Sequence, residues 1–202
     1  MKAVRIKQQG GPEVMSIDDV DQPQPAATEV LIKIEAAGIN YIDTYQRSGL
    51  YQIPLPTTLG LEASGTVEGI GSDVSRFKIG DRVACTNVLG AYAEYSALDQ
   101  DKVVALPDGV SFNEGAAAML QGCTAHYLSQ STYPIKKGDS CLIHAAAGGV
   151  GLILTQMAKN AGAYVIGTVS TPEKAELARS AGADEVILYS QTDFEAEVKR
   201  IT

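Results

Sequence analysis

From Met1 to Pro107 the chain reads as short stretches in which apolar and polar positions alternate. "MKAVRIKQ" and "EVLIKIEAAGIN" alternate clearly, and "ASGTVEGIG", "DRVACTN", "GAYAEYSALD" and "KVVALP" are brief apolar runs set between glycines. Period-two alternation over four to eight residues predicts half-buried strands. Short strands at this spacing predict a partly closed antiparallel barrel. The pairs Pro23/Pro25 and Pro54/Pro56 mark loops between them.

The period changes near Ser111. "SFNEGAAAMLQGCTAHYLSQ" places apolar residues at helical spacing, and Ser111 with Glu114 matches a capping box. Strands and helices then alternate. "SCLIHA" is a buried strand and "GGVGLILTQMAKNAG" a helix stopped by Gly162. "AYVIGTVS" is a second strand, and "TPEKAELARSAG" a helix with Pro172 at its start and Gly182 past its end. "DEVILY" is a third strand. This β-α-β-α-β run is half of a doubly wound parallel sheet. The sequence ends at Thr202, within the helical pattern "DFEAEVKRIT". Three further βα units of roughly 30 residues each would complete such a sheet, so a longer protein is expected. A small α/β layer that is complete as it stands is the alternative.

Length and composition restrict the function. At 202 residues, one or two domains are expected, and 45% hydrophobic residues supply a globular core. A net charge of −8 argues against general binding to nucleic acid, which needs clustered Lys and Arg. Cys85, Cys123 and Cys141 are scattered, without C-x-x-C spacing, which fits a reducing, cytoplasmic setting. The first ten residues are too polar for a signal peptide, and no apolar run reaches ~18 residues, so no membrane span is expected.

The candidate chemistry sits in "HAAAGGVG". By spacing, Ala146, Gly148 and Gly151 occupy the three places of G-x-G-x-x-G. The first place requires a tight turn, for which a small alanine is expected to serve. The second lets backbone approach a pyrophosphate, and the third permits close helix–sheet packing. The free N–H groups of the following helix would face the anion. A purely structural corner is the competing reading, but strand, turn, helix and strand fall in the required order. No acid stands at the end of the second strand to bind ribose hydroxyls; Thr168, Val169, Ser170 and Thr171 stand there instead, and Glu173 reads as a helix cap. Ser170 and Lys174 suit a 2′-phosphate, which predicts a preference for NADPH. A solvated lysine is the bland reading of Lys174.

Several stretches together resemble the zinc-free, crystallin-like quinone oxidoreductase branch of the medium-chain dehydrogenases and reductases. They are "GGPEVM", "AAGINYIDTYQRSGLY", "PLPTTLGLEASGTVEGIGSDV", "GDRV", "GAYAEY", "AAAMLQGCTAHYL" and "HAAAGGVGLILTQMAK". The resemblance implies a GroES-like substrate domain over residues 1–122 and a partial Rossmann-type NADP-binding domain over 123–202. It implies NADPH-dependent reduction of a small-molecule quinone, in a homodimer when the protein is full length. It also assigns residues. Tyr41, Ile42, Asp43, Thr44 and Tyr45 would line the nicotinamide side of the cleft, with Asn40 and Tyr51 near the substrate. Thr124 and Tyr127 would lie near the nicotinamide or its phosphate, and Gly148, Gly149 and Val150 at the pyrophosphate. Ser170, Thr171 and Lys174 would hold the 2′-phosphate, and Tyr189 would pack beside the adenine.

Bland readings compete at several of these positions. Tyr41 and Tyr45 are spaced as core residues of a helix would be, Asp43 as a helix cap, and Tyr127 and Tyr189 as packing aromatics. Zinc-dependent relatives carry cysteine where Asn40 stands and histidine where Leu61 stands; neither replacement binds Zn²⁺, so no metal is expected. Gln121 stands where some relatives have lysine. His126 and His144 are isolated, Cys123 reads as a small buried residue, and no general acid or base is evident. Hydride or single-electron transfer to an acceptor that already takes electrons easily fits this set, with solvent supplying the proton. Reduction of α,β-unsaturated aldehydes or ketones is the alternative activity, and nucleotide binding without turnover is the non-enzymatic one.

Overall fold

A computed structural model describes residues 1–86 and 89–202 and divides into two units, Met1–Leu120 and Gln121–Thr202. Asn87, the last residue of the stretch "DRVACTN", lies outside the described residues.

In the first unit the alternating stretches become strands β1 (Lys2–Ile6), β2 (Met15–Asp19) and β3 (Glu29–Ala37), followed by helix α1 (Tyr41–Ser48). Strands β4 (Thr57–Thr58), β5 (Glu62–Ile70), β6 (Arg82–Thr86), β7 (Tyr95–Asp99) and β8 (Val103–Ala105) come next. One antiparallel sheet runs β7-β3-β5-β6-β8 and a second β2-β1-β4, with a bridge from Ala3 to Ala93. Register shifts against β5 at Leu31/Ile32 and Ile34/Ala36 bend β3, as bulges do, and the larger sheet curls around its core. That core holds Val30, Ile32, Val67, Val83, Leu98 and Val103, all under 5% exposed.

Helix α1 ends where Gly49 takes φ 88°, with the Gly49 N–H donating to the Tyr45 carbonyl at 3.1 Å. Helix α2 (Phe112–His126) begins with the expected capping box: Ser111 N donates to Glu114 Oε2 at 2.8 Å, and Glu114 N donates to Ser111 Oγ at 3.2 Å. The α-helix is shorter than the apolar spacing predicts. It widens into a π-helical turn over Tyr127–Thr132. There the Ser129 hydroxyl donates to the Ala125 carbonyl at 2.8 Å, a side-chain bond that competes with the helical ladder.

The second unit continues with β9 (Ser140–Ile143), α3 (Gly149–Asn160), β10 (Tyr164–Val169), α4 (Pro172–Ser180), β11 (Glu185–Leu188) and α5 (Phe194–Ile201). The three strands are parallel in the order β11-β10-β9. This is the first half of a Rossmann sheet. Gly162 at φ 86° and Gly182 at φ 108° follow α3 and α4, in the left-handed conformation that glycine adopts without steric cost. Ala158, Ala175 and Ala178 are at most 2% exposed, so only methyl groups fill this part of the core and the helices approach the sheet closely. Among the described residues no helix is long and apolar enough to cross a membrane.

Candidate functional site

In the turn after β9 the left-handed residue is Ala145, at φ 51°, and not Ala146 in the first glycine place. Ala146 is fully buried, and its methyl group points at Gly167 of β10: a Cβ built on Gly167 would lie 2.8 Å from it. Alanine is tolerated because the facing strand has no side chain there. Gly151 is glycine for an internal reason, since a Cβ would lie 2.3 Å from the Ala145 carbonyl oxygen and 2.7 Å from Ala146 Cα. Gly148 is different. It adopts ordinary extended backbone (φ −81°, ψ 171°), and a Cβ would meet only the Ala145 oxygen, at 3.1 Å. Its missing side chain leaves room on the outer side of the turn.

That outer side is a cavity of about 130 Å³, bounded by Ala145, Gly148, Val169, Ser170, Lys174 and Tyr189. Gly148 caps α3 with no side-chain bond to the helix, so the first-turn N–H groups, including those of Gly149 and Val150, have no side-chain acceptor from the cap. The Gln121 carboxamide rests on Gly149, where a Cβ would lie 2.0 Å from Oε1. Across the cavity, Lys174 Nζ donates to Ser170 Oγ at 3.2 Å. The Thr171 hydroxyl accepts from the Lys174 backbone N–H at 3.3 Å and caps α4. Glu173 has its carboxyl held below the usual range by its own backbone N–H and then by the Thr171 hydroxyl, and it lies outside the cavity lining. Thus four expected residues (Gly148, Ser170, Lys174 and Tyr189) surround one cavity, and Gly149, Val150 and Thr171 adjoin it. Thr124, in the last turn of α2, and Tyr127, half-exposed in the π-helical turn, are not among its lining residues.

In the first unit Tyr41, Tyr45 and Tyr51 form an aromatic ladder, with centroids 5.4 Å apart at each step. Tyr41 is 77% exposed, so the i, i+4 pair is no core stripe. Ile42 and Thr44 are partly buried in α1, and the Thr44 hydroxyl donates to the Tyr41 carbonyl at 2.7 Å. Asp43 is buried. Its Oδ2 accepts from the Asn40 backbone N–H at 2.8 Å and from the Tyr92 hydroxyl at 2.6 Å. Burial, then the hydrogen bond to Asp43 and the charges of Asp43 and Glu62, push the Tyr92 phenol well above its ordinary range. An apolar cavity of about 440 Å³ lies beside α1, against Met15, Ile39, Leu59, Asn40 and Asp43.

Sequence reasoning missed one group. Glu62 is fully buried; its Oε1 accepts from Asn40 Nδ2 at 2.8 Å and its Oε2 from the Leu120 backbone N–H at 2.6 Å. The acid stands in the strand pattern "GLEASGTVEG", where period two gives no hint of partners 22 and 58 residues away. His144 is not isolated: Nδ1 lies 3.0 Å from Thr168 Oγ1 and the ring meets Phe194 edge-on. Cys123 is exposed, not buried, while burial raises the Cys85 thiol to about 11.

A curled antiparallel unit followed by a strand–glycine turn–helix half-sheet is the architecture of a two-domain dehydrogenase chain. The family description "Alcohol dehydrogenase GroES-like domain" matches residues 26–108, and "Zinc-binding dehydrogenase" matches 149–202. The chain belongs to the medium-chain dehydrogenase/reductase family, in its quinone oxidoreductase branch. It is 50% identical over 203 residues to a quinone oxidoreductase of Pseudomonas aeruginosa, covering 100% of this chain and 62% of that one. It is 40% identical to a 2-haloacrylate reductase of a Burkholderia species, covering 99% and 62%. The solved Escherichia coli quinone oxidoreductase complexed with NADPH superposes with a TM-score of 0.97 at 45% identity, covering 100% of this chain and 62% of that one. The chain therefore spans about three-fifths of the length of these relatives.

Proposed function

We propose that the protein reduces quinones with NADPH and without zinc. The observation that carries this reading is the Lys174–Ser170 pair at the cavity of the glycine turn. A cation and a hydroxyl, with no carboxylate among the lining residues, suit the 2′-phosphate that distinguishes NADPH from NADH. Gly148, Gly149 and Val150 would present backbone N–H groups to the pyrophosphate, and Tyr189 an aromatic face to the adenine. Tyr41 to Tyr45, Thr124 and Tyr127 are proposed for the nicotinamide end, and Asn40 and Tyr51 for the substrate. When bound, NADPH supplies a hydride. A quinone that takes up that hydride and one solvent proton becomes a hydroquinone, so no side chain need act as general acid.

The donor set does not suit zinc. The amide of Asn40 is hydrogen-bonded to Glu62, Leu61 is a buried hydrocarbon, and no metal-suited cluster of His, Cys, Asp or Glu occurs among the described residues. The proposed domains are 1–122 for substrate and 123–202 for NADP, in a cytoplasmic homodimer.

The 2-haloacrylate reductase relative supports a second reading, in which an activated alkene takes the hydride. The test is NADPH oxidation by the full-length protein with 1,4-naphthoquinone, 9,10-phenanthrenequinone and a short enone. Turnover of the quinones is expected. Turnover of the enone alone reverses the ranking, and NADPH binding without turnover of any acceptor leaves only a nucleotide-binding protein.

A further inference from the structure

Strands β10 and β11 pair in parallel as far as Val169 and Leu188. One more backbone bond follows, from Tyr189 N to the Val169 carbonyl at 3.1 Å. The next carbonyl along β10 is that of Ser170, and a side chain reaches it: Ser190 Oγ donates to it at 2.8 Å. Beyond this point the second strand turns away, because Gln191 N and Thr192 N both donate back to the Leu188 carbonyl, at 2.9 and 3.1 Å. Ser190 therefore extends the ladder by one bond past the strands it joins.

That bond ties together two walls of the glycine-turn cavity. Val169, Ser170 and Tyr189 line the cavity, and Ser190 is not among its lining residues. A serine offers an anion two different oxygens. Its carbonyl only accepts hydrogen bonds, so a carbonyl turned toward a phosphate repels it, whereas its hydroxyl also donates. At Ser170 the two are engaged from opposite partners. Ser190 donates to the carbonyl, and Lys174 Nζ donates to Oγ at 3.2 Å. Accepting from Lys174 leaves the Ser170 O–H as a donor on the lysine side.

We propose that Ser190 is a positioning residue for coenzyme choice. It holds the Ser170 carbonyl toward β11, so that residue 170 meets the 2′-phosphate with its hydroxyl and not with its carbonyl. The inference rests on the proposed binding of NADPH at this cavity. Ser190 is exposed, so water can replace its hydroxyl as a donor at little cost in stability. A water does not fix the direction of the carbonyl, and the phosphate competes for it. The role is thus one of selectivity, carried by a residue that need not touch the nucleotide.

Ser190→Ala removes the donor and leaves every residue of the cavity lining in place. In the full-length protein S190A is expected to weaken NADPH binding about three- to tenfold, the worth of one hydrogen bond. NADH affinity, kcat at saturating NADPH and the unfolding midpoint should stay close to the wild-type values, so the loss appears in the KM for NADPH. Ser190→Thr keeps the hydroxyl and is expected to bind NADPH as the wild type does. Two smaller probes isolate the contact, since adenosine 2′,5′-bisphosphate and 5′-AMP differ only in the 2′-phosphate. The S190A loss should appear with the bisphosphate alone.

Equal losses for both coenzymes, no loss for either, or a S190T protein as weak as S190A overturns the proposal. The wild type separates this failure from that of the proposed function. A wild-type protein that binds NADPH no better than NADH refutes the 2′-phosphate assignment itself. A wild-type preference for NADPH that survives unchanged in S190A refutes only the role of Ser190.

Discussion

Lys174 Nζ, from the first turn of α4, lies 3.2 Å from Oγ of Ser170, the residue that follows β10. The helix positions the ammonium group, and the strand end supplies the hydroxyl that holds it over the glycine-turn cavity. Replacing Lys174 by alanine removes a charged donor worth about 1.5–3 kcal/mol to a phosphate, roughly ten- to a hundredfold in affinity. Titration of the full-length protein should show NADPH binding weakened to that extent and NADH binding little affected. Equal losses for the two would remove the basis for assigning a 2′-phosphate to this cavity.

Gly167 faces the methyl group of Ala146, and a Cβ there would lie 2.8 Å from it. The variant G167A is therefore expected to destabilise the second unit by about 1–3 kcal/mol through overpacking. A146G/G167A removes the clash and should recover most of that loss. Thermal unfolding of the four proteins forms a double-mutant cycle, and additive effects would show that the two positions do not touch.

The alternation of strands and helices after Ser140 was legible because its signals are local. Gly162 and Gly182 lie just past the helices they end, and Pro172 opens α4. The capping box at Ser111 is equally local. The π-helical turn was not legible, because the Ser129 hydroxyl can bond the helix or solvent without any change in apolar spacing. Glu62 was illegible for another reason. Its partners lie on α2 and at the start of α1, and only folding brings them to it. The glycine turn was half-read: its helix and strands follow from the pattern, whereas the left-handed residue is Ala145 and its neighbour depends on Gly167 of the next strand.

The Tyr92 hydroxyl donates to buried Asp43 Oδ2 at 2.6 Å, and Asp43 Oδ1 has no hydrogen-bond partner among the described residues. Tyr92→Phe leaves the carboxylate with one bond fewer and should cost about 1–3 kcal/mol of stability. The phenol pKa is raised on folding, so its contribution is present below the unfolded value near 10 and is lost as pH rises past it. Wild type and Y92F should accordingly converge in unfolding midpoint above about pH 10. A constant gap from about pH 7 to 11 would contradict this.

Asp184 behaves in the opposite sense. Burial pushes its carboxyl up, but the Lys159 ammonium at 2.7 Å and the Val165 backbone N–H at 2.7 Å outweigh that and hold it below the usual range. Its stabilisation is present above the unfolded pKa and is lost as pH falls below about 4 through the folded value. Asp184→Asn should cost about 1 kcal/mol at neutral pH, given the partial exposure of the pair. The gap between the two proteins in urea midpoint should close on acidification; a gap that widens would reverse the assignment.

The contact between Ala146 and Gly167 also divides descent between two exclusive branches. A lineage with glycine at both positions can acquire the alanine in the turn at once, but only while the opposite strand stays bare. A lineage that first gained a side chain at 167 is barred from it. Aligned homologues should therefore carry a side chain at one of the two sites or at neither, with the doubly substituted combination missing.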